Sequence, residues 1–214
     1  VLHEHPIRDL LESYAKEFAA AFAAPLAGLA RENVQARIRG TILMEYSNAF
    51  GHLLLATGNK SELSVGYCTL YGDTNGGLGL IGDIYKTEVF ELARHLNHSA
   101  GRELIPRAII EKEPSAELAP NQRDTDSLPP YATLDTILKQ LIEGRSLGSG
   151  EQAEVETRYA TLSATAEGAA LIARIKRMIA RAEYKRRQAP PILRERARAF
   201  GSGRQMPISA HIEY

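Results

Sequence analysis

Thr57-Gly58-Asn59-Lys60-Ser61-Glu62 places a hydroxyl, an amide, an ammonium and a carboxylate within six residues. Glu62 offers hard oxygen atoms, and Mg²⁺ takes one or two protein carboxylates and completes its shell with water and phosphate oxygens. An acid in the first turn of a helix is also favourable in itself, because it faces the positive end of the helix dipole. Lys86, in Gly82-Asp83-Ile84-Tyr85-Lys86-Thr87, stands where another helix should begin. A lysine charge beside the N–H groups of a helix N-terminus suits a phosphate, and an ordinary surface lysine fits the position equally. Asn33 and Arg37 lie one helical turn apart, so that both reach one ligand or both are solvated. Asp73 sits in a Gly-Asp turn, which by itself accounts for the residue. Lys185 belongs to the basic run Glu183–Gln188, a pattern of solvated faces and nucleic-acid patches.

The elements that must position these groups read as α/β. Leu53-Leu54-Leu55 is a short apolar run, so His52–Thr57 is expected to be a buried strand. Gly58 and Asn59 turn the chain, and Ser61 and Glu62 open a helix, which puts the polar residues at the carboxyl end of a strand, where ligands of open α/β sheets bind. Upstream, helices are predicted over Pro6–Ala24, with Ile7, Leu10, Leu11, Tyr14, Phe18 and Phe22 on one stripe, and over Arg31–Phe50, with Val34, Ile38 and Ile42 on one face. Downstream, the pattern predicts a helix over Tyr85–Asn97, a second strand over Arg107–Glu111, a long loop over Lys112–Pro130 and helices over Tyr131–Glu143, Glu151–Ala160 and Thr165–Glu183. A structureless loop of that length is a lid, a binding loop or disordered. Two parallel strands do not make a stable sheet, so either weaker strands are present or further strands lie upstream of Val1. The chain divides into an α/β core over 1–143 and a helical extension with an irregular tail over 144–214.

A hydrophobic content of 44% and a charged content of 24% are those of an ordinary globular protein. The formal net charge is zero, which disfavours a nucleic-acid binder, although Leu171–Gln205 holds eleven Lys or Arg against two acids. That basic run lacks the interleaved aromatics of a single-strand binder. The single cysteine, Cys68, rules out a disulfide framework and fits a reducing, cytoplasmic setting. No apolar run approaches the roughly 20 residues of a membrane span.

Seven segments occur in order: ENVQARIRG from Glu32, TGNKSEL from Thr57, TLYGDTNGGL from Thr69, GDIYKTEV from Gly82, Pro114-Ser115-Ala116-Glu117-Leu118, DSLPPY from Asp126 and EYKRRQAPP from Glu183. Together they resemble the ammonia-consuming synthetase domain of glutamine-dependent NAD synthetases, from about residue 6 to the C-terminus. The resemblance implies a partial Rossmann-like, adenine-nucleotide alpha-hydrolase-type parallel sheet with flanking helices, its first strands upstream. It implies an ATP-dependent C–N ligase that adenylylates the nicotinate carboxylate of deamido-NAD and then lets ammonia displace AMP.

Carried over residue by residue, the resemblance implies that Thr57, Lys86 and Ser115 contact ATP, with Ser115 on a mobile loop. Asn33, Arg37, Glu62, Asp73 and Lys185 would contact deamido-NAD. Glu62 would hold Mg²⁺, and Lys86 and Asp73 would stand nearest the chemistry. Relatives that use only free ammonia carry a lysine and an acid where this chain has Leu70 and Gly77, which favours the glutamine-dependent branch. The expected partners are deamido-NAD, ATP, ammonia and an upstream glutaminase domain, in a homo-oligomer; nucleic acid and membrane are not expected. A non-catalytic nucleotide-binding or assembly module with the same fold is the alternative. The family's Ser-Gly-Gly-x-Asp-Ser pyrophosphate loop does not occur in these residues, so the 214-residue chain alone is expected to make no NAD.

Overall fold

The structure, a computed structural model, describes residues 2–208. Helix α1 (Arg8–Phe22) packs against helix α2 (Gly28–Phe50); α1 stops at Ala23, in the left-handed region, just before Pro25. Strand β1 (Leu55–Ala56), helix α3 (Lys60–Val65), strand β2 (Leu78–Gly79) and helix α4 (Lys86–Ala100) follow, then the short α5 (Arg107–Glu111). The remainder is helical: α6 (Tyr131–Leu138), running on into a π-helical turn over Lys139–Glu143, α7 (Ser149–Ser163), α8 (Ala166–Arg181) and α9 (Glu183–Arg186). The last part of the predicted irregular tail, residues 209–214, lies outside the described residues.

Two strand expectations are corrected. Arg107–Glu111 is helix α5, not a strand. Pro106 immediately precedes it, and its fixed φ suits the start of a helix, where its missing N–H costs nothing. The strand expected over His52–Thr57 contracts to two residues, of which only Ala56 is buried: Leu55 is 43% exposed, and Leu53 before it 65%. Its partner is the overlooked β2, paired in parallel with Leu55 opposite Leu78 and Ala56 opposite Gly79. Gly79 also bridges in parallel to Ile192, donating its N–H to Pro191 O at 2.8 Å. Two-residue strands cannot hold themselves together, so the helices carry the fold.

The core lies between α3, α6 and α8. Leu134, Ile137, Leu138, Ile175 and Ile179 are fully buried there, with Leu63, Val65 and Ile172 beside them and Tyr85 and Phe200 closing the ends. The sequence of α8 predicts a core face of Leu171, Ile175, Met178, Ile179 and Ala182; Ile175, Ile179 and Ala182 are buried there, Leu171 and Met178 stand at the margin, and Ile172 joins the buried set. The apolar stripes of α1 and α4 are different. Only Leu11 of α1 is buried, and no residue of α4 is, so Tyr14, Phe22, Leu92 and Leu96 face solvent among the described residues.

Helix α2 is held against the turn that follows α3 by a close backbone approach. A Cβ on Gly40 would stand 2.6 Å from Asn75 Nδ2 and 2.7 Å from Gly72 O. One on Gly72 would meet Ala36 Cβ at 2.9 Å. Gly40→Ala should raise helix propensity yet force the two segments apart, for a net loss of about 1–3 kcal/mol. Urea unfolding measures it; a midpoint equal to or above wild type would show that the turn shifts freely.

Candidate functional site

Helix α3 begins with a reciprocal cap. Asn59 Oδ1 accepts from Glu62 N at 3.1 Å, and Glu62 Oε2 accepts from Asn59 N at 3.1 Å. The turn from β1 into α3 is thereby fixed, and Glu62 Oε1 is left to face Lys86 Nζ at 3.1 Å. Burial pushes the Glu62 pKa above the usual carboxylate range, with the Lys86 charge working against it. Lys86 Nζ also lies over the Tyr131 ring, 5.3 Å from its centroid.

The backbone beneath Lys86 is clamped from two other helices. Lys86 N donates to Ser61 Oγ at 2.8 Å, and Ser61 Oγ donates to Asp135 Oδ1 at 2.5 Å. Asp135 Oδ2 accepts from Thr87 N at 2.9 Å and from Thr87 Oγ1 at 2.8 Å. Asp135, from α6, therefore caps α4 across the core, and burial raises its pKa. This corrects the picture of a phosphate resting on open N–H groups beside Lys86: the first two of α4 already have acceptors, and the lysine side chain is what remains for an anion.

These groups open onto a cleft of about 730 Å³. Asn33, Thr57, Glu62, Asp73, Lys86, Ser115 and Lys185 all line it. Arg37 does not; its Nε donates to Leu70 O at 3.1 Å on the exposed side of α2, because the next residue on the cleft-facing stripe is Ala36. Asp73 Oδ1 accepts from Thr69 N at 2.6 Å, and Thr69 Oγ1 donates to Asn33 Oδ1 at 2.7 Å, so the two predicted residues are joined through one threonine. Burial raises the Asp73 pKa, opposed by the Thr69 bond. Lys185 Nζ donates to Gly66 O and Cys68 O, both at 2.7 Å, which holds its charge at the cleft wall. Cys68 is half-buried, and burial pushes its thiol up to about 12. Ser115 lies in the predicted long loop, which contains only a 3-10 turn at Asp124–Asp126 and is pinned to α2 by Gln35 Nε2 donating to Leu118 O at 2.9 Å and Gln122 Nε2 to Glu32 Oε2 at 3.1 Å.

Residues 2–189 match the family model described as NAD synthase. The chain belongs to the NAD synthase family. Relatives include the glutamine-dependent NAD(+) synthetase of Synechocystis, 47% identical over 95% of this chain and 34% of that protein, and that of Thermotoga maritima, 44% identical over 95% and 34%. The chain thus spans about a third of the length of the curated relatives it matches. Among solved structures, the glutamine-dependent NAD(+) synthetase of Cytophaga hutchinsonii aligns with a TM-score of 0.67 at 23% identity, covering 94% of this chain and 33% of that one. The NMN synthetase of Francisella tularensis aligns with a TM-score of 0.56 at 24% identity, covering 73% and 60%. Both show that the fold is shared.

Two features of this NAD synthase domain escaped the sequence reading. Lys60, next to the capped Asn59, is fully buried and donates to Asp83 Oδ1 at 2.6 Å, to Glu143 and to Arg198 O at 3.3 Å. The basic run Glu183–Gln188 is not a uniform solvated face. Arg186 is buried and donates to Ser64 O and Ile179 O at 2.7 Å and to Glu183 at 2.9 Å, tying α9 to α3 and α8. No helix of the described residues is long and apolar enough to cross a membrane.

Proposed function

We propose that this chain is the nucleotide-handling part of a glutamine-dependent NAD synthetase, which converts deamido-NAD, ATP and ammonia into NAD, AMP and pyrophosphate. The observation that supports this most is the convergence of seven chemistry-bearing side chains, Lys86 and Glu62 at their centre, on one cleft of a family member. In this reading Lys86 offsets phosphate charge, Thr57 and Ser115 hydrogen-bond ATP, and Asn33, Asp73 and Lys185 orient deamido-NAD. Little protein acid–base chemistry is required; the work is positioning and charge stabilisation. Arg37 would meet the substrate only at its exposed margin.

Mg²⁺ fits Glu62 by chemistry. Both carboxylate oxygens have a hydrogen-bond donor, yet each keeps a second lone-pair direction, and Mg²⁺ needs only one or two protein oxygens beside phosphates. The ion, when bound, supplies charge neutralisation at the phosphates. In the same reading the enzyme is cytoplasmic and homo-oligomeric, and its ammonia comes from a glutaminase domain outside this chain.

The test is a mass-spectrometric assay of the full-length synthetase for NAD and AMP with saturating ammonia. Equal amounts of both are expected, and the 214-residue chain by itself should form neither. Glu62→Gln should raise the Mg²⁺ concentration needed for half-maximal rate by about tenfold or more, on the scale of one lost charged contact, with deamido-NAD binding nearly unchanged. An unchanged Mg²⁺ dependence would take Glu62 out of the metal shell.

A further inference from the structure

Asp135 lies on α6, only 2% exposed, and its carboxylate reaches two other helices. Oδ1 accepts from the Ser61 hydroxyl on α3, and Oδ2 accepts from Thr87 N and Thr87 Oγ1 on α4. Ser61 Oγ in turn accepts from Lys86 N. Ser61 immediately precedes Glu62, and Thr87 immediately follows Lys86. One rigid group therefore straddles the two residues that meet at 3.1 Å in the cleft.

This is a costly way to cap a helix. All three donors are neutral, and Lys139, one turn further along the chain, is paired with Glu88 and Glu151, each at 2.7 Å. Burying a carboxylate with no ion pair of its own is expensive, and a serine or threonine caps a helix end without that penalty. What a hydroxyl cannot do is present two acceptor oxygens at a fixed separation. Hydrogen bonds to a charged acceptor are also about twice as strong as neutral ones, so the start of α3 is held firmly against the start of α4. We propose that Asp135 is a positioning residue of the synthetase: it sets the separation of Glu62 and Lys86, and so the place where the cleft can hold a phosphate. This rests on the roles given to Glu62 and Lys86 above. Asp135 does not line the cleft, so it acts only through that pair.

The experiment uses the full-length synthetase. Asp135→Asn keeps the shape but turns one acceptor into a donor. Facing Thr87, the new N–H meets another N–H; facing Ser61, it leaves the serine proton without an acceptor in a fully buried place. The variant should lower kcat by about 10–100-fold, the scale of a misplacement of roughly 1 Å. The KM for deamido-NAD should stay unchanged, because Asn33, Asp73 and Lys185 are held by Thr69, Gly66 O and Cys68 O instead. The deciding comparison repeats the substitution in Lys86→Ala. There Asp135→Asn should cost less than about threefold more, whereas a residue that merely holds the fold would multiply the two losses. Should Asp135→Asn fail to fold, Ser61→Ala breaks the same bridge without burying an amide and carries the same comparison. An unchanged kcat, or equal proportional losses with and without Lys86, would overturn the proposal. Calorimetry with ATP separates the two readings, since it needs no turnover. Its Kd should rise about 2–10-fold in Asp135→Asn and no further once Lys86 is Ala. A wild-type protein that makes no NAD but shows this coupling would sink the ligase reading and spare the positioning role.

Discussion

Lys86→Ala is expected to slow NAD formation by the full-length synthetase about 10²–10³-fold, the usual loss when one preorganised group stabilising developing charge is removed. Two neighbouring sources of positive charge are already engaged. Asp135 and Ser61 already take the first N–H groups of α4, and Lys185 is engaged by two carbonyls. The substitution also strips Glu62 of its ion-pair partner at 3.1 Å. Because the lysine acts on charge that builds during reaction, kcat should fall more than the KM for ATP rises. Lys86→Arg should restore only part of the rate, since a guanidinium fork does not reproduce a point charge over Tyr131. Steady-state kinetics with each substrate saturating decide the matter; a loss below tenfold would move Lys86 out of the phosphate site.

Lys60→Met should cost about 3–5 kcal/mol of folding stability, the penalty for breaking a buried ion pair and leaving its carboxylates uncompensated. Asp83 retains two backbone donors, Glu195 N at 2.8 Å and Arg196 N at 2.6 Å, but Glu143 keeps only the Tyr85 hydroxyl at 3.2 Å. The loss should therefore fall mainly on Glu143, and adding Glu143→Gln to Lys60→Met should return a good part of it. Urea unfolding of the single and double variants gives the coupling. A loss under 1 kcal/mol for Lys60→Met would mean that water reaches the cluster. A typical domain has only about 5–15 kcal/mol in all, so the single variant should be close to unfolding at growth temperature.

What could be read from the chain beforehand was whatever is local. The period of α8 placed Ile175 and Ile179 in the core, and the Gly58-Asn59 turn followed by Ser61 and Glu62 placed a helix start where the cap is found. Seven of the eight residues carried over from the family resemblance line one cleft, and Arg37 departs because one step around α2 turns it outward. At Arg107–Glu111 the β-branched Ile109-Ile110 suit a strand by type, but the preceding Pro106 and an Ile109 that is 62% exposed fit a surface helix. Strand β2 offered no signal, being two residues long and half glycine. Lys60 was invisible for another reason. Lysine is ordinarily exposed, and its partners lie 23, 83 and 138 residues away, so no local pattern announces its burial.

The charge cluster around Lys60 also dictates a timetable. Glu195 N and Arg196 N reach Asp83 from 112 and 113 residues further along, and Arg198 O reaches Lys60 across 138. A ribosome releases Asp83 and Glu143 long before it releases those closing groups. Until then the interior of the domain holds a carboxylate without its backbone donors, and loops this long close slowly. The emerging chain therefore keeps this interior wet until the segment around Arg198 has been made, and that segment is the stopper that dries it.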